Sequence, residues 1–212
     1  TGTKEVFCAG ADLTSMYSGE QGNEQITRRM QEVPDLHWQA LLRHNRPYKP
    51  IIAAVEGFAL AGGTELLHGT DIRVASEKAT FGLTEAKRGL FPLGGATVRI
   101  PRQIPYTYAA EMLLTGKHIN AYQAKEFGLI GEVVPEGTAL EKAINIAEQV
   151  AENSPVSIKA IMKSLRDLNE QVPEHKALEK ELELGWPVFE SEDAKEGLAA
   201  FSEKRKAIFK GK

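Results

Sequence analysis

The segment from Ile51 to Gly63 is the longest apolar stretch of the chain, interrupted only by Glu56, and it constrains the fold more than any other feature. Ile51-Ile52-Ala53-Ala54-Val55, launched by Pro50 and bounded by Gly57, reads as a buried strand. Phe58-Ala59-Leu60 is expected to continue it, and Gly62-Gly63 then opens a helix through about His68. Strands at 71–75 and 79–82 follow. This strand–helix–strand rhythm points to an α/β fold. The stretch is far shorter than the roughly 20 apolar residues that cross a bilayer.

Val6-Phe7-Cys8-Ala9 reads as another buried strand, ending in a tight turn at Gly10. Residues 14–47 are polar and mixed, with Met30, Val33, Leu36, Trp38, Leu41 and Leu42 at partly helical spacing. A mobile loop followed by a helix ending before Pro47 is expected there. Helices are expected from Tyr106 to Leu114, stopped at Gly116, and from Ala121 to Phe127, stopped at Gly128. Gly131-Glu132-Val133-Val134 is a last strand. Beyond Thr138 the chain reads as helices at 139–153, 155–169, 174–184 and 192–209, with breaks at Pro155, Pro173 and Pro187. The shift near residue 150, from Gly-rich α/β to Glu/Lys-rich helix, divides a core of 1–150 from a helical region of 151–212.

A length of 212 residues suits one large domain, or one with an appendage. With 42% apolar and 26% charged residues, disorder is not expected. The 26 Lys and Arg against 29 Asp and Glu leave −3, without a block of like charge, so no nucleic-acid partner and no membrane-surface stripe are expected. The chain opens at Thr1-Gly2 without methionine or a basic-then-apolar signal segment. The single cysteine, Cys8, excludes an internal disulfide and any CxxC arrangement, and fits a cytoplasmic location.

Two glycine-centred turns could carry chemistry. In Phe7-Cys8-Ala9-Gly10-Ala11-Asp12 a strand ends in small residues, and in Gly57 to Leu66 a strand passes through Gly62-Gly63 into a helix. Small side chains let backbone N–H groups face a cavity. The first N–H groups of a helix lack internal partners and carry partial positive charge, which suits a developing oxyanion. Close packing alone would also call for these glycines. Glu65 lies three residues after Gly62, where capping of its own helix would account for it. Glu85, in Phe81-Gly82-Leu83-Thr84-Glu85, reads on its own as a surface glutamate. As a pair, two carboxylates flanking a polarised carbonyl could hold one water and divide acid and base duties. The five histidines form no HExxH or i,i+4 metal pair, and G-x-S-x-G, GxxxxGK[ST] and G-x-G-x-x-G are absent.

In these residues the sequence resembles the crotonase family, the enoyl-CoA hydratase/isomerase superfamily, over essentially its whole length. The likeness runs through CAGADL, IIAAVEGFALAGGTEL, DIRVA, ATFGLTEAKRGLFPLGG, LLTGKHI, AKEFGLIGEVV and FSEKRKAIF, in that order, with Glu65 and Glu85 twenty residues apart. The resemblance implies a spiral of ββα turns with C-terminal helices that pack into trimers, often paired as hexamers. Further strands and part of the CoA groove would precede Thr1.

It further implies an oxyanion hole formed by the N–H groups of Ala11 and Gly62, acid/base duties for Glu65 and Glu85, and acyl-CoA contacts at Ala9, Asp12, Leu93, Phe201 and Lys204. The last two, expected in the final helix, would reach the CoA of a neighbouring subunit. Leu93 stands where many hydratases have glycine, so its side chain could reshape the pocket. The implied reaction is reversible syn addition of water to a trans-2-enoyl-CoA in fatty-acid or related acyl-CoA degradation, without metal or separate cofactor. A double-bond isomerase using mainly Glu85 and a non-catalytic acyl-CoA-binding scaffold are the alternatives.

Overall fold

The computed structural model of the chain describes residues 1–13, 24–33, 36–44, 46–167 and 174–212. The loop expected at the start of 14–47 lies largely outside these. Within that span the chain forms α1 (Glu24–Glu32) and α2 (Leu36–Ala40), so helix ends well before Pro47. Then come β2 (Ile52–Val55), β3 (Phe58–Leu60), α3 (Gly62–Leu67), β4 (Ile72–Ser76), β5 (Thr80–Gly82), a 3₁₀ turn (Glu85–Arg88), α4 (Ala96–Gln103) and α5 (Tyr106–Thr115). β6 (His118–Asn120), α6 (Ala121–Glu126) and β7 (Glu132–Val134) complete the α/β part, which opens with β1 (Val6–Cys8).

The strands fall into two sheets, ordered β1-β3-β5-β6 and β2-β4-β7. All pairs are parallel except β5 with β6. From β1 to β5 consecutive strands alternate between the sheets; β6 then pairs with β5 in the first sheet, and β7 returns to the second. This is the α/β spiral expected from the resemblance.

One expectation is corrected at this point. Phe58–Leu60 does not prolong the Ile52–Val55 strand but joins the other sheet, beside β1 and β5. The chain crosses at Glu56-Gly57 for two reasons. The buried Glu56 carboxylate accepts the Gly137 and Ala139 N–H groups at 2.9 and 2.8 Å, where α7 (Ala139–Ala151) begins. The Gly57 Cα lies against the Glu5 carbonyl, and a Cβ there would come to 1.9 Å from that oxygen. Val55, Ala59, Leu67, Phe81, Ile100, Met112, Ile119 and Leu129 fill the core.

The chain divides into two compact units. One comprises residues 1–46 and 51–143, the other 47–50 and 144–212. In the second, α8 (Pro155–Asp167) packs on α9 (Glu174–Phe189), and α10 (Glu192–Ser202) follows. Two expectations fail here. Pro187 does not end the helix but lies inside α9, two residues before its end, at the cost of one i→i−4 hydrogen bond. The last helix stops at Ser202 and not near 209, and Lys204 has φ 54° in the left-handed region. The following tail is fixed by side chains of α10: Asp193 accepts the Lys210 and Gly211 N–H groups at 2.7 and 3.1 Å, and Glu196 accepts the Ile208 N–H at 2.8 Å.

Candidate active site

The site is built where two parallel strands end together. β1 pairs with β3 through Val6↔Phe58 and Cys8↔Ala59, so Gly10 and Ala61-Gly62 leave the sheet side by side. Gly10 has φ 88°, and a Cβ on it would come to 2.9 Å from the Ala61 Cβ and 3.1 Å from the Gly62 nitrogen. A Cβ on Gly63 would meet the Cys8 carbonyl oxygen at 2.0 Å. Only glycine permits either approach. Ala9, Ala11 and Asp12 continue from β1 in exposed backbone.

Ala61 itself has φ 50° and ψ −123°, a conformation that costs a non-glycine residue about 1–3 kcal/mol. Its surroundings impose that shape. Its N–H donates to the Gly82 carbonyl at 2.8 Å, and its own carbonyl accepts the Glu65 N–H at 3.0 Å. The fully buried Thr64 hydroxyl donates to the Ala59 carbonyl at 2.5 Å and accepts the Gly82 N–H at 3.2 Å, locking α3 to β3 and β5. Gly62 is the first residue of α3, so its N–H has no acceptor within the helix. Among the described residues the structure thus brings the Gly62 amide and the Gly10-Ala11 backbone together at one edge.

Glu65 is buried, but it does not cap its own helix. Its Oε1 accepts the Ala96 N–H at 3.1 Å, and the Gly94 N–H also bonds to the carboxylate, so Glu65 holds the N-terminus of α4. Gly94 must be glycine for this, because a Cβ would come to 2.5 Å from Oε2. Burial raises the Glu65 pKa, opposed by the two amides and the Arg43 and Arg99 charges. Glu85 opens the 3₁₀ turn after β5 and is half-buried, where one glutamate alone had read as a surface residue. Its Oε2 is buried without a partner among the described residues. Burial raises its pKa, its own backbone N–H opposes this, and the nearby Glu65 charge raises it further. The two carboxyl groups therefore share one environment.

Leu93 lies on the turn into α4, with its side chain 54% exposed and its carbonyl accepting from Arg43 Nη1. Phe201 lies near the end of α10 and Lys204 just beyond it, both in the second unit.

Sequence reasoning missed three neighbours. Arg99 of α4 donates from Nη2 to the Leu42 carbonyl at 2.5 Å and the Arg43 carbonyl at 3.2 Å, and from Nη1 to the Leu41 carbonyl at 3.3 Å. Its pKa is pushed down to about 10 by burial and by Arg46 and Arg43, which leaves it charged at neutral pH. Leu41 and the Ala96 amide are the others. The Gly94-Gly95 pair before Ala96 repeats the Gly62-Gly63 pattern and is the signal that could have revealed α4. Among the described residues there is no cluster of three or more His, Cys, Asp or Glu able to hold a metal, and no helix is long and apolar enough to cross a membrane.

Comparison with known proteins completes the picture. The family model for enoyl-CoA hydratase/isomerase matches residues 1–212. The chain is 48% identical to enoyl-CoA hydratase EchA19 of Mycobacterium tuberculosis, over all of this chain and 78% of that protein. It is 36% identical to 2,3-dehydroadipyl-CoA hydratase of Escherichia coli, over all of this chain and 80% of that one. The crystal structure of enoyl-CoA hydratase from Bacillus anthracis superposes with a TM-score of 0.86 at 37% identity, covering 99% of this chain and 79% of that one. The two-sheet spiral and the sequence thus agree: the chain belongs to the enoyl-CoA hydratase/isomerase (crotonase) family and is a hydratase-type enzyme within it.

Proposed function

We propose that this protein adds water reversibly across the double bond of a trans-2-enoyl-CoA to give a 3-hydroxyacyl-CoA. The observation that carries the reading is the pairing of a buried carboxyl group, Glu65, with a half-buried one, Glu85, beside a helix-terminal amide that lacks an intrahelical acceptor. The thioester carbonyl accepts from the N–H groups of Ala11 and Gly62. Electron density drawn onto that oxygen makes C3 electrophilic, and losing one such donor costs about 10²–10³ in rate.

Glu65 and Glu85 then differ in role because their surroundings differ. Two amides and two arginine charges favour the ionised form of Glu65, which takes a proton as water attacks C3. Glu85 has an unpartnered oxygen and feels the Glu65 charge, so the shared proton resides there and is delivered to C2. Addition from one side is syn. The cycle closes when Glu65 releases its proton to solvent and Glu85 regains one. CoA enters only as part of the substrate. The second carboxylate favours hydration over isomerisation by Glu85 alone.

Ala9, Asp12 and Leu93 line the substrate path, and Phe201 and Lys204 meet the CoA of a neighbouring subunit. Self-association as a trimer or a pair of trimers accounts for Ile161, Leu165, Trp186, Phe189 and Leu198 in the second unit, each more than half exposed. The lone free Cys8 accords with a cytoplasmic location. Incubation with a medium-chain trans-2-enoyl-CoA tests the reading. Formation of the 3-hydroxyacyl-CoA is expected. Binding without turnover and without exchange of the C2 proton in deuterated water would leave a scaffold instead.

A further inference from the structure

Leu41 occupies a place between the two halves of the site. Its Cδ2 would lie 3.8 Å from a Cβ on Gly62, and its Cδ1 2.7 Å from a Cβ on Gly94. The Glu65 Oε2 approaches that same Gly94 position to 2.5 Å. The isobutyl group therefore borders both the residue whose amide would hold the carbonyl oxygen and the carboxylate that would act at C3.

The turn carrying it is held from several directions. Leu42 adopts φ 52°, a left-handed conformation that an isolated leucine avoids, and its side chain packs where a Cβ on Gly69 would meet it at 2.9 Å. The three carbonyls of Leu41, Leu42 and Arg43 all accept from the Arg99 guanidinium. Arg43 in return donates to the Leu93 carbonyl. Arg99 belongs to the helix whose first N–H is bound by Glu65, so the apolar wall and the carboxylate are referenced to one element.

We propose that Leu41 determines which substituent the enoyl C3 can carry, and that Arg99 is the positioning residue that keeps Leu41 in place. The proposal rests on the hydratase reading above. A flat, unbranched chain leaving C3 passes the isobutyl group, whereas a ring or branch next to C3 meets it. One misplaced or missing apolar group in such a pocket shifts discrimination by about 10–200-fold.

The test compares crotonyl-CoA with cinnamoyl-CoA, which carries a phenyl ring on C3, as the ratio of their kcat/KM values. Leu41→Ala is expected to raise the ratio for cinnamoyl-CoA by about tenfold, and Leu41→Phe to lower it. Leu41→Val, a change small enough to keep the fold, must move it in the same direction as alanine. Arg99→Met is expected to shift the ratio toward the alanine variant, which a loss of folded protein, scaling both substrates alike, would not do. A ratio unchanged in the alanine, valine and phenylalanine variants, with the parent enzyme active on crotonyl-CoA, overturns the Leu41 assignment alone. A parent enzyme that hydrates neither substrate overturns the hydratase reading and this proposal with it.

Discussion

Glu85→Gln separates activity from stability in opposite directions. The carboxyl is half-buried, one of its oxygens is buried without a partner among the described residues, and Glu65 lies close enough to raise its pKa. A raised pKa means that the neutral form suits the fold better than it suits the unfolded chain. The favourable contribution is then fully present below the unfolded-chain pKa and is lost as pH rises through the folded value. At pH 8 the parent carries this cost and the glutamine variant does not. Relief of such a site is worth about 0.5–2 kcal/mol, and each kcal/mol raises the Tm of a chain this size by roughly 2–4 °C. Turnover falls about 10²–10⁴-fold, because the amide cannot deliver a proton to C2. Hydration of crotonyl-CoA, followed by loss of the enoyl-thioester absorbance, gives the first quantity, and thermal melts from pH 4 to pH 8 give the second. The gain must shrink toward pH 4. A variant less stable than the parent at pH 8, a gain that grows in acid, or near-parental turnover would refute the reasoning.

Glu65→Gln should lose turnover to the same degree, since the attacking water then has no base. Thr64→Val leaves the Gly82 N–H and Ala59 carbonyl without the hydroxyl, at a cost of about 1–3 kcal/mol in urea unfolding, and Thr64→Ser should recover it. Asp193 is held below the usual aspartate range: burial would raise it, but the Lys210 amide, the Ser154 hydroxyl and the Gly211 and Lys212 amides outweigh that. Its fastening of the tail is thus complete above the ordinary aspartate pKa and is lost as pH falls through the depressed value, and Asp193→Ala should speed tryptic cleavage at Lys206 and Lys210. Light scattering should give three times the 23.3 kDa protomer mass, or a doubling of that trimer; the mass of one protomer would remove the proposed self-association.

Elements with an unbroken apolar pattern and a glycine stop were legible in the sequence. β2, α3, β4 and α5, which ends at the left-handed Gly116, lie within a residue or so of their expected bounds. The crossing at Glu56-Gly57 was hidden, because nothing in an apolar run tells which of two sheets each half joins. α4 was hidden by Arg99, Pro101 and Arg102, which break its apolar face. Its start depends on a carboxylate from a distant helix. The Glu65–Glu85 pairing was legible only by resemblance, since the partner that Glu65 actually binds, the Ala96 amide, lies 31 residues away. Arg99 gave no local signal, because what makes it matter is three carbonyls more than fifty residues upstream.

A crystal structure with acetoacetyl-CoA bound, a thioester that cannot be hydrated, measures the central geometry directly. The account predicts the thioester oxygen about 3 Å from both the Ala11 and Gly62 nitrogens, with the Glu65 and Glu85 carboxyl groups on the same face of the acyl plane, at C3 and C2 respectively. A thioester oxygen bonded elsewhere, or carboxyl groups on opposite faces, would contradict it.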